Sequence, residues 1–165
     1  MGCLIRKIKE SEIYLLEDFL YEAIFQKDEN NLISRDIVKQ PNIEVYIKDF
    51  GKADDLCLVA EMDNKIIGAV WTRILSGEIK GFGNVDSDTP EFAISLYRGY
   101  RGKGIGTNLM KEMLKLLKEN GYKKASLAVQ KDNYAIKMYE SVGFSIFQEL
   151  EEEYLMICDL DNIDY

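Results

Sequence analysis

A turn near residue 102 combines several glycines with basic residues in an otherwise acidic chain. The segment YRGYRGKGIGTNLMKEML (97–114) contains four glycines and four basic residues, whereas the whole 165-residue chain has a formal net charge of −8. A predicted strand, FAISL (92–96), runs directly into this turn, and an amphipathic helix is predicted after it, from Gly104 to Asn120. A helix N-terminus offers unsatisfied N–H groups and the positive end of the helix dipole. Small residues let an anion approach these groups, so the turn predicts a phosphate or pyrophosphate site.

Two familiar phosphate loops do not fit this turn. A P-loop requires a glycine five residues before Gly102, where the chain has Tyr97, and Lys103 is followed by Gly104 instead of Ser or Thr. A dinucleotide-binding GxGxxG loop that starts at Gly102 requires glycine where the chain has Thr107. A tight turn without a ligand is the alternative, and the basic residues argue against it.

The chain contains no histidine. This excludes Ser-His-Asp and Cys-His catalysis and also His-ligated zinc, and we expect no metal site. Proton transfer must then use a carboxylate, tyrosine, lysine, cysteine, a chain terminus or water. The acidic charge argues against nucleic acid as a partner. It is explained by solubility or, alternatively, by attraction of a cationic substrate.

Length and composition predict a single domain over residues 1–165. No apolar run approaches the ~20 residues of a transmembrane helix. The start, MGCLIRKIKE, lacks the apolar stretch of a secretory signal. The three cysteines are scattered and form no CxxC pair, which favours reduced thiols. We therefore expect a cytoplasmic protein without a membrane partner.

Hydrophobic periodicity predicts the element order β, α, α, β, β, β, α, β, α, β, β. The fold class is therefore α+β, a mixed and mainly antiparallel sheet of about seven strands with helices on both faces. The first helix is predicted over 11–25 with Ser11 as its N-cap, and a weaker helical region over 34–48 is interrupted by Pro41. Residues 76–90 predict an irregular loop or a short strand flanked by loops. The predicted strands are 3–9, 56–62, 66–75, 92–96, 125–129, FSIFQEL and EYLMICDL, and the later helices are 104–120 and 133–143.

Two segments together resemble one known family. Arg101-Gly102-Lys103-Gly104-Ile105-Gly106 fits the signature R/Q-x-x-G-x-G/A. NYAIKMYESVGF (133–144) is similar to a second pattern of Asn, Ala, Tyr and Gly-Phe, and follows about 30 residues later. Both patterns, in this order, are those of the GNAT superfamily of acyl-CoA-dependent N-acyltransferases. The detailed resemblance covers about residues 91–145. One departure is the segment 97–100, where many relatives have a proline-containing turn.

The resemblance implies a site for acetyl-CoA as co-substrate. The strand before the turn would splay from its neighbour and pair with the pantetheine arm. The turn would hold the pyrophosphate mostly through backbone N–H groups. Asn133 would bond the cofactor arm or hold the splay open, and a helix cap is its alternative role. The expected cofactor-binding residues are Ile94, Ser95, Leu96, Arg101, Gly102, Lys103, Gly104, Ile105, Gly106, Thr107 and Asn133.

Tyr139 is the catalytic residue that the resemblance implies. An amine that attacks the thioester expels the CoA thiolate, which a nearby phenol can protonate. A buried packing tyrosine is the alternative. Without histidine, a carboxylate is the natural general base, and Glu91, at the start of the cofactor strand, is the first candidate. Asp86 and Asp88 are the alternatives, and each of the three carboxylates is equally compatible with a solvated surface.

The expected function is N-acetyltransfer from acetyl-CoA to a primary amine by direct attack, and a small cationic amine suits the acidic chain. A protein N-terminus or lysine is the alternative acceptor, and a non-catalytic acyl-CoA sensor is the alternative class. The acceptor pocket of relatives is built from regions without a readable motif here. Relatives often form homodimers through their last strands, which this sequence does not test. Candidate pocket residues, each also compatible with core packing, are Tyr14, Tyr21, Phe25, Trp71 and Phe82.

Overall fold

Seven strands form one sheet in the computed structural model, which describes residues 2–165. Across the sheet the order is β1-β2-β3-β4-β5-β7-β6, and every neighbouring pair is antiparallel except β4 and β5. The predicted α+β class with a mixed, mainly antiparallel sheet is confirmed. The strands are β1 (Leu4–Lys7), β2 (Leu56–Met62), β3 (Lys65–Arg73), β4 (Glu91–Leu96), β5 (Lys124–Gln130), β6 (Phe144–Glu149) and β7 (Glu153–Asp159).

Helices cover both faces of the sheet, as predicted. The α-helices are α1 (Leu16–Ala23), α2 (Pro41–Glu44), α3 (Ile105–Glu119) and α4 (Ile136–Val142). α1 buries Phe19 and Leu20 in the cluster on one face, and α3 buries Met110 and Met113 in the cluster on the other. None of the helices in residues 2–165 combines the length and apolar character that crossing a membrane requires. Short 3-10 helices occupy Glu10–Leu15, Arg35–Lys39, Arg98–Tyr100 and Leu160–Asn162.

The prediction that Ser11 caps the first helix is wrong. The 3-10 helix that precedes α1 begins one residue earlier, and its N-cap position is Lys9. The carboxylate of Glu12 reaches back to accept a hydrogen bond from the Lys9 N–H at 2.8 Å, and Arg6 holds that carboxylate with two further bonds. Ser11 thus lies inside this helix, and the Glu12 carboxylate, held by Arg6, accepts the N–H at the start of the helix instead.

In the long segments between β1 and β4, the helix ends and loops agree with the proline, serine and glycine positions in the sequence. Pro41 is the first residue of α2, where a missing N–H costs nothing, and it separates α2 from the preceding 3-10 helix. Ser34 caps that 3-10 helix by accepting a bond from the Asp36 N–H. Residues 76–90 contain no strand and form an irregular loop, so the first of the two predicted alternatives is correct.

Among the described residues β4 and β5 are the one parallel pair, and they meet at a single register position. Glu91 lies opposite Ser126, and the Ser126 N–H donates to the Pro90 carbonyl at 2.9 Å. On its other side, β4 pairs with β3 along its whole length, up to Leu96. Within the described residues no register pair joins the later part of β4 to β5. That edge of β4 is therefore left without a strand partner, and its backbone groups are available to a ligand, apart from the Leu96 carbonyl, which accepts a bond from Arg101.

Candidate active site

A cleft of about 360 Å³ opens beside the end of β4. This volume lies within the range of small-molecule and cofactor sites, about 300–1,000 Å³. Three segments that are distant in sequence line the cleft: the end of α1 with the following residues, the end of β4 with the glycine turn and the first turn of α3, and the start of α4 with the residues before it. Representative lining residues are Phe25, Ile94, Gly104, Asn133 and Tyr139.

The N-terminus of α3 reaches this cleft without a side-chain cap. Gly104 is its N-cap with φ 84°, and Gly102 has φ 75°. Both values lie in the left-handed region that glycine adopts at little cost. The first helical hydrogen bond runs from the Asn108 N–H to the Gly104 carbonyl at 3.2 Å. The N–H groups of residues 105–107 precede that bond and have no helical partner, so this end of α3 fits an anion.

All but two of the predicted cofactor-binding residues line this cleft. Lys103 and Ile105 are the exceptions. The Lys103 side chain is exposed, with its ammonium 5.9 Å from the ring centre of Tyr100. The Ile105 side chain is buried in the core, so only its backbone can serve a ligand. The residues that the structure brings together are Ile94, Ser95, Leu96, Arg101, Gly102, Gly104, Gly106, Thr107 and Asn133.

The guanidinium of Arg101 is held by other groups of the protein. Its Nε donates to the Leu96 carbonyl at 3.0 Å, and its Nη2 lies 3.5 Å from the carboxylate of Glu22 on α1. Arg98 of the same turn pairs with Glu29 at 3.4 Å. Arg98 and Arg101 therefore brace the turn against the α1 side of the cleft, which leaves the uncapped backbone N–H groups as the main free donors of the turn. Sequence reasoning missed both acidic partners, because no motif connects them to the turn.

Asn133 caps the turn that leads into α4. Its Oδ1 accepts a hydrogen bond from the Ala135 N–H at 2.8 Å. This is the capping contact that the sequence offered as the alternative role. The side chain is half-buried and lines the cleft. Since the cap uses only the oxygen, the amide nitrogen can still donate to a ligand.

Tyr139 projects from α4 into the same cleft as the α3 N-terminus. Its ring is half-buried and meets Phe144 edge-on, with ring centres 6.2 Å apart. Burial, with a smaller contribution from Tyr134, raises the pKa of Tyr139 to about 12. At neutral pH the side chain is therefore a protonated phenol and can act as a proton donor.

Glu91 does not line the cleft: it is the first residue of β4 and forms the one register pair of that strand with β5. The side chain is only 2% exposed. Its Oε2 accepts hydrogen bonds from the Tyr46 hydroxyl and from the Gly83 N–H, the latter at 2.9 Å, whereas its buried Oε1 has no partner in the described structure. Burial raises the pKa of Glu91 to about 7, and the two hydrogen bonds oppose that rise.

Asp86 and Asp88, the alternative candidates for the general base, lie in surroundings that differ from those of Glu91. Asp86 and Asp88 are both exposed. A hydrogen bond from the Thr89 side chain, with others from backbone N–H groups, lowers the pKa of Asp86. A weakly basic, solvated carboxylate is a poor general base near neutral pH. Of these three carboxylates, Glu91 has the environment that suits proton abstraction.

The surroundings of Glu91 were not predicted from the sequence. Tyr46 follows α2, and no periodic pattern distinguished it from other buried tyrosines. The only signal was the Gly81-Phe82-Gly83 spacing in the loop 76–90. A Cβ at Gly81 would lie 2.0 Å from Oε1 of Glu91, so the loop packs directly on the carboxylate.

The predicted pocket aromatics divide between cleft, core and surface. Tyr21 and Phe25 line the cleft. Trp71 is buried and donates its indole N–H to the Tyr46 carbonyl at 3.0 Å. Tyr14 is 75% exposed and Phe82 47% exposed. Within residues 2–165 no cluster of three or more His, Cys, Asp or Glu could hold a metal ion.

Comparison with known families identifies this arrangement. The model of the Acetyltransferase (GNAT) family matches residues 17–144. The chain belongs to that family. The matched region contains both segments that resembled the family in sequence, together with every element that lines the cleft.

Relatives and solved structures agree with this membership in the GNAT family. A mycothiol acetyltransferase of Corynebacterium aurimucosum is 42% identical over 83 residues, which are 50% of this chain and 25% of that protein. The chain thus spans about a quarter of the length of that relative. An N-alpha-acetyltransferase of Saccharolobus solfataricus is 32% identical over 114 residues, 66% of each chain. The PaiA N-acetyltransferase of Thermoplasma acidophilum, solved with coenzyme A, is 19% identical, with a TM-score of 0.67 over 96% of this chain and 99% of that one. The last comparison shows a shared fold.

Proposed function

We propose that this GNAT-family chain is an N-acetyltransferase that transfers the acetyl group of acetyl-CoA to a primary amine. The observation that carries the proposal is that three features line one cleft: the uncapped N-terminus of α3, the end of β4 with its free edge, and the phenol of Tyr139. The solved PaiA N-acetyltransferase with the same fold holds coenzyme A, which supports the choice of ligand.

The cofactor would be held mainly by backbone groups. The free edge of Ile94–Leu96 can pair with the amides of an extended pantetheine arm, as an added strand would. The N–H groups at the start of α3 suit the pyrophosphate, since they combine free donors with the positive end of a 15-residue helix. A backbone N–H near Leu96 would polarise the thioester carbonyl. When bound, acetyl-CoA supplies the activated acyl group.

Two side chains would accept and donate the protons of the reaction. Glu91, ionised above its pKa of about 7, would accept a proton from the attacking amine. The carboxylate lies three residues before Ile94, about 10 Å along the strand, so a chain of water molecules would relay the proton. Tyr139 would donate its proton to the leaving thiolate and regain one from solvent. The amine then holds the acetyl group, and CoA leaves as a thiol.

Two acceptor classes fit this chemistry. A small cationic amine is the first, because the chain has a net charge of −8 and an acidic stretch, Glu149–Glu153, that runs from the end of β6 to the start of β7. The α-amine of a protein is the second, because the chain resembles an N-alpha-acetyltransferase over 66% of its length. Both acceptors present a primary amine to the same base.

Thiol release from acetyl-CoA tests the proposal. The acceptors would be a polyamine, an aminoglycoside, an amino acid and peptides with free N-termini. We expect amine-dependent release, and Tyr139→Phe should lower kcat by about 10²-fold or more because the leaving thiolate loses its proton donor. Tyr14→Phe, at a tyrosine that is 75% exposed and outside the cleft, is the matched control and should retain full activity.

The rise of the melting temperature with acetyl-CoA separates binding from catalysis. Tyr139→Phe should keep that rise, because the cofactor is held by backbone groups of other elements. If acetyl-CoA stabilises the protein but no acceptor gives thiol release, the enzyme assignment fails and an acyl-CoA sensor takes its place.

A further inference from the structure

We propose that Tyr46 is a positioning residue for Glu91, which orients the carboxylate so that Oε1 is the oxygen that receives the proton of the amine. This inference rests on the proposed function, because it takes Glu91 as the general base. Tyr46 is 45 residues from Glu91 in sequence and does not line the cleft. Its effect on the reaction would therefore act through the carboxylate that its hydroxyl contacts.

The hydrogen bonds distinguish the two oxygens of Glu91. The Tyr46 hydroxyl accepts a bond from the Phe82 N–H at 2.8 Å, so its own proton is directed to Oε2 of Glu91. The Gly83 N–H donates to the same oxygen at 2.9 Å. Oε1 is buried and has no partner in the described structure. Because two donors hold Oε2, the Glu91 carboxylate is fixed in one orientation. Oε1 is then the oxygen that is free to accept a proton.

Strand β3 fixes Tyr46 through its backbone. The indole N–H of Trp71 donates to the Tyr46 carbonyl at 3.0 Å. Arg73 donates to the carbonyls of Val45 and Lys48 at 2.9 and 2.8 Å, so the chain is held on both sides of Tyr46. This arginine is 5% exposed. These three bonds to the carbonyls of residues 45, 46 and 48 hold the backbone that carries the phenol, which is expected where a donor must keep a fixed geometry.

No cation offsets the charge of Glu91 within the described residues. Arg73 lies opposite Glu91 in the β3–β4 register, but its guanidinium forms a two-point contact with Asp55 at 3.0 Å. The other charged group that faces Glu91 is Glu153 of β7, which disfavours ionisation further. The ionised form therefore depends on its two hydrogen-bond donors, Tyr46 and Gly83.

Gly81 provides an independent test of the carboxylate position. A Cβ there would lie 2.0 Å from Oε1 and 2.8 Å from Cδ of Glu91. The backbone of Gly81 is not in the left-handed region, so alanine is excluded by the carboxylate and not by the main chain. Gly81→Ala should thus displace Glu91 while Tyr46 and Glu91 both stay chemically intact.

The first experiment measures kcat/KM against pH with one amine, so that titration of the acceptor is common to all variants. The wild type should lose activity as the pH falls through about 7, where Glu91 becomes protonated. Tyr46→Phe removes a hydrogen bond to the ionised form of Glu91, which raises the pKa of that carboxyl. The inflection in kcat/KM should therefore move upward by about one pH unit. Tyr122→Phe is the matched control, because that phenol donates to Asp54 outside the cleft, and its inflection should not move.

The second experiment needs no activity. In protein labelled with ¹³C at glutamate carboxyls, the Glu91 resonance is identified by its loss in Glu91→Gln. Its titration midpoint in Tyr46→Phe should rise by the same amount as the kinetic inflection. Gly81→Ala, checked for folding by circular dichroism, should lower kcat and leave KM for acetyl-CoA nearly unchanged.

The outcomes separate this inference from the proposed function. If both the kinetic inflection and the carboxyl midpoint stay in place in Tyr46→Phe, the positioning role is overturned while acetyl transfer stands. An unchanged kcat in Gly81→Ala overturns it as well, even if Tyr46→Phe fails to fold. If Glu91→Gln keeps full activity at every pH, the base assignment fails and the inference fails with it.

Discussion

The conformation of the glycine turn can be tested by replacing Gly104 with alanine. Gly104 has φ 84° and ψ −2° at the N-cap of α3. An L side chain in this region costs about 1–2 kcal/mol. Nothing lies within 4 Å of the added Cβ, so the penalty comes from the backbone alone and not from a clash. We expect the free energy of unfolding to fall by about 1 kcal/mol and the melting temperature by about 2–4 °C.

Gly106→Ala is the matched control, two residues further along the same turn. Its φ is not positive, and the added Cβ would meet Leu96 and Met138 at 3.8 Å, an ordinary contact distance. Alanine is favoured over glycine in a helix by about 0.5–1 kcal/mol. The melting temperature should therefore stay the same or rise by about 1–4 °C. The two variants differ from wild type by the same single methyl group but should shift stability in opposite directions.

Thermal unfolding by circular dichroism, with and without acetyl-CoA, measures both effects. Acetyl-CoA should raise the melting temperature of the wild type, because it binds only the folded state. In Gly104→Ala that rise should shrink, since a relaxed turn no longer aligns the N–H groups of residues 105–107. A Gly104→Ala protein that melts at or above the wild-type temperature would refute the claim that the turn requires a left-handed residue.

Two further predictions concern Glu91 and Asn133. The pKa of Glu91 is raised from 4.5 to about 7 by folding, so the folded state binds the proton more tightly and its stability falls as the pH rises between these values. Glu91→Gln should flatten this part of a plot of melting temperature against pH, and an unchanged slope would contradict the burial of the carboxylate. Asn133→Ala loses the cap on the Ala135 N–H and should cost about 1 kcal/mol, or about 2–4 °C. Asn133→Asp keeps the accepting oxygen and should melt near the wild-type temperature.

The sequence by itself determined the order of the elements and the location of the glycine turn before α3. Both depend on neighbours along the chain. The apolar spacing from Ile105 to Leu117 places one face of α3 in the core, and those positions are buried in the structure. Gly102 and Gly104 adopt the backbone region that their lack of a side chain permits, just before a helix that the same pattern predicts. The exception is Ser11, where a more distant contact between Arg6 and Glu12 decided the cap.

The tertiary structure decided which side chains meet. Glu91, Tyr46 and Gly83 come together only because the β3–β4 register and the loop 76–90 bring three separate segments to one point. Arg101 turns away from the expected anion because α1 places Glu22 beside it. Such pairings depend on strand register, loop closure and burial, which act between residues far apart in the chain. Local periodicity does not encode them, so the sequence predicted a role for Glu91 without its environment, and that environment determines the pKa of the carboxylate.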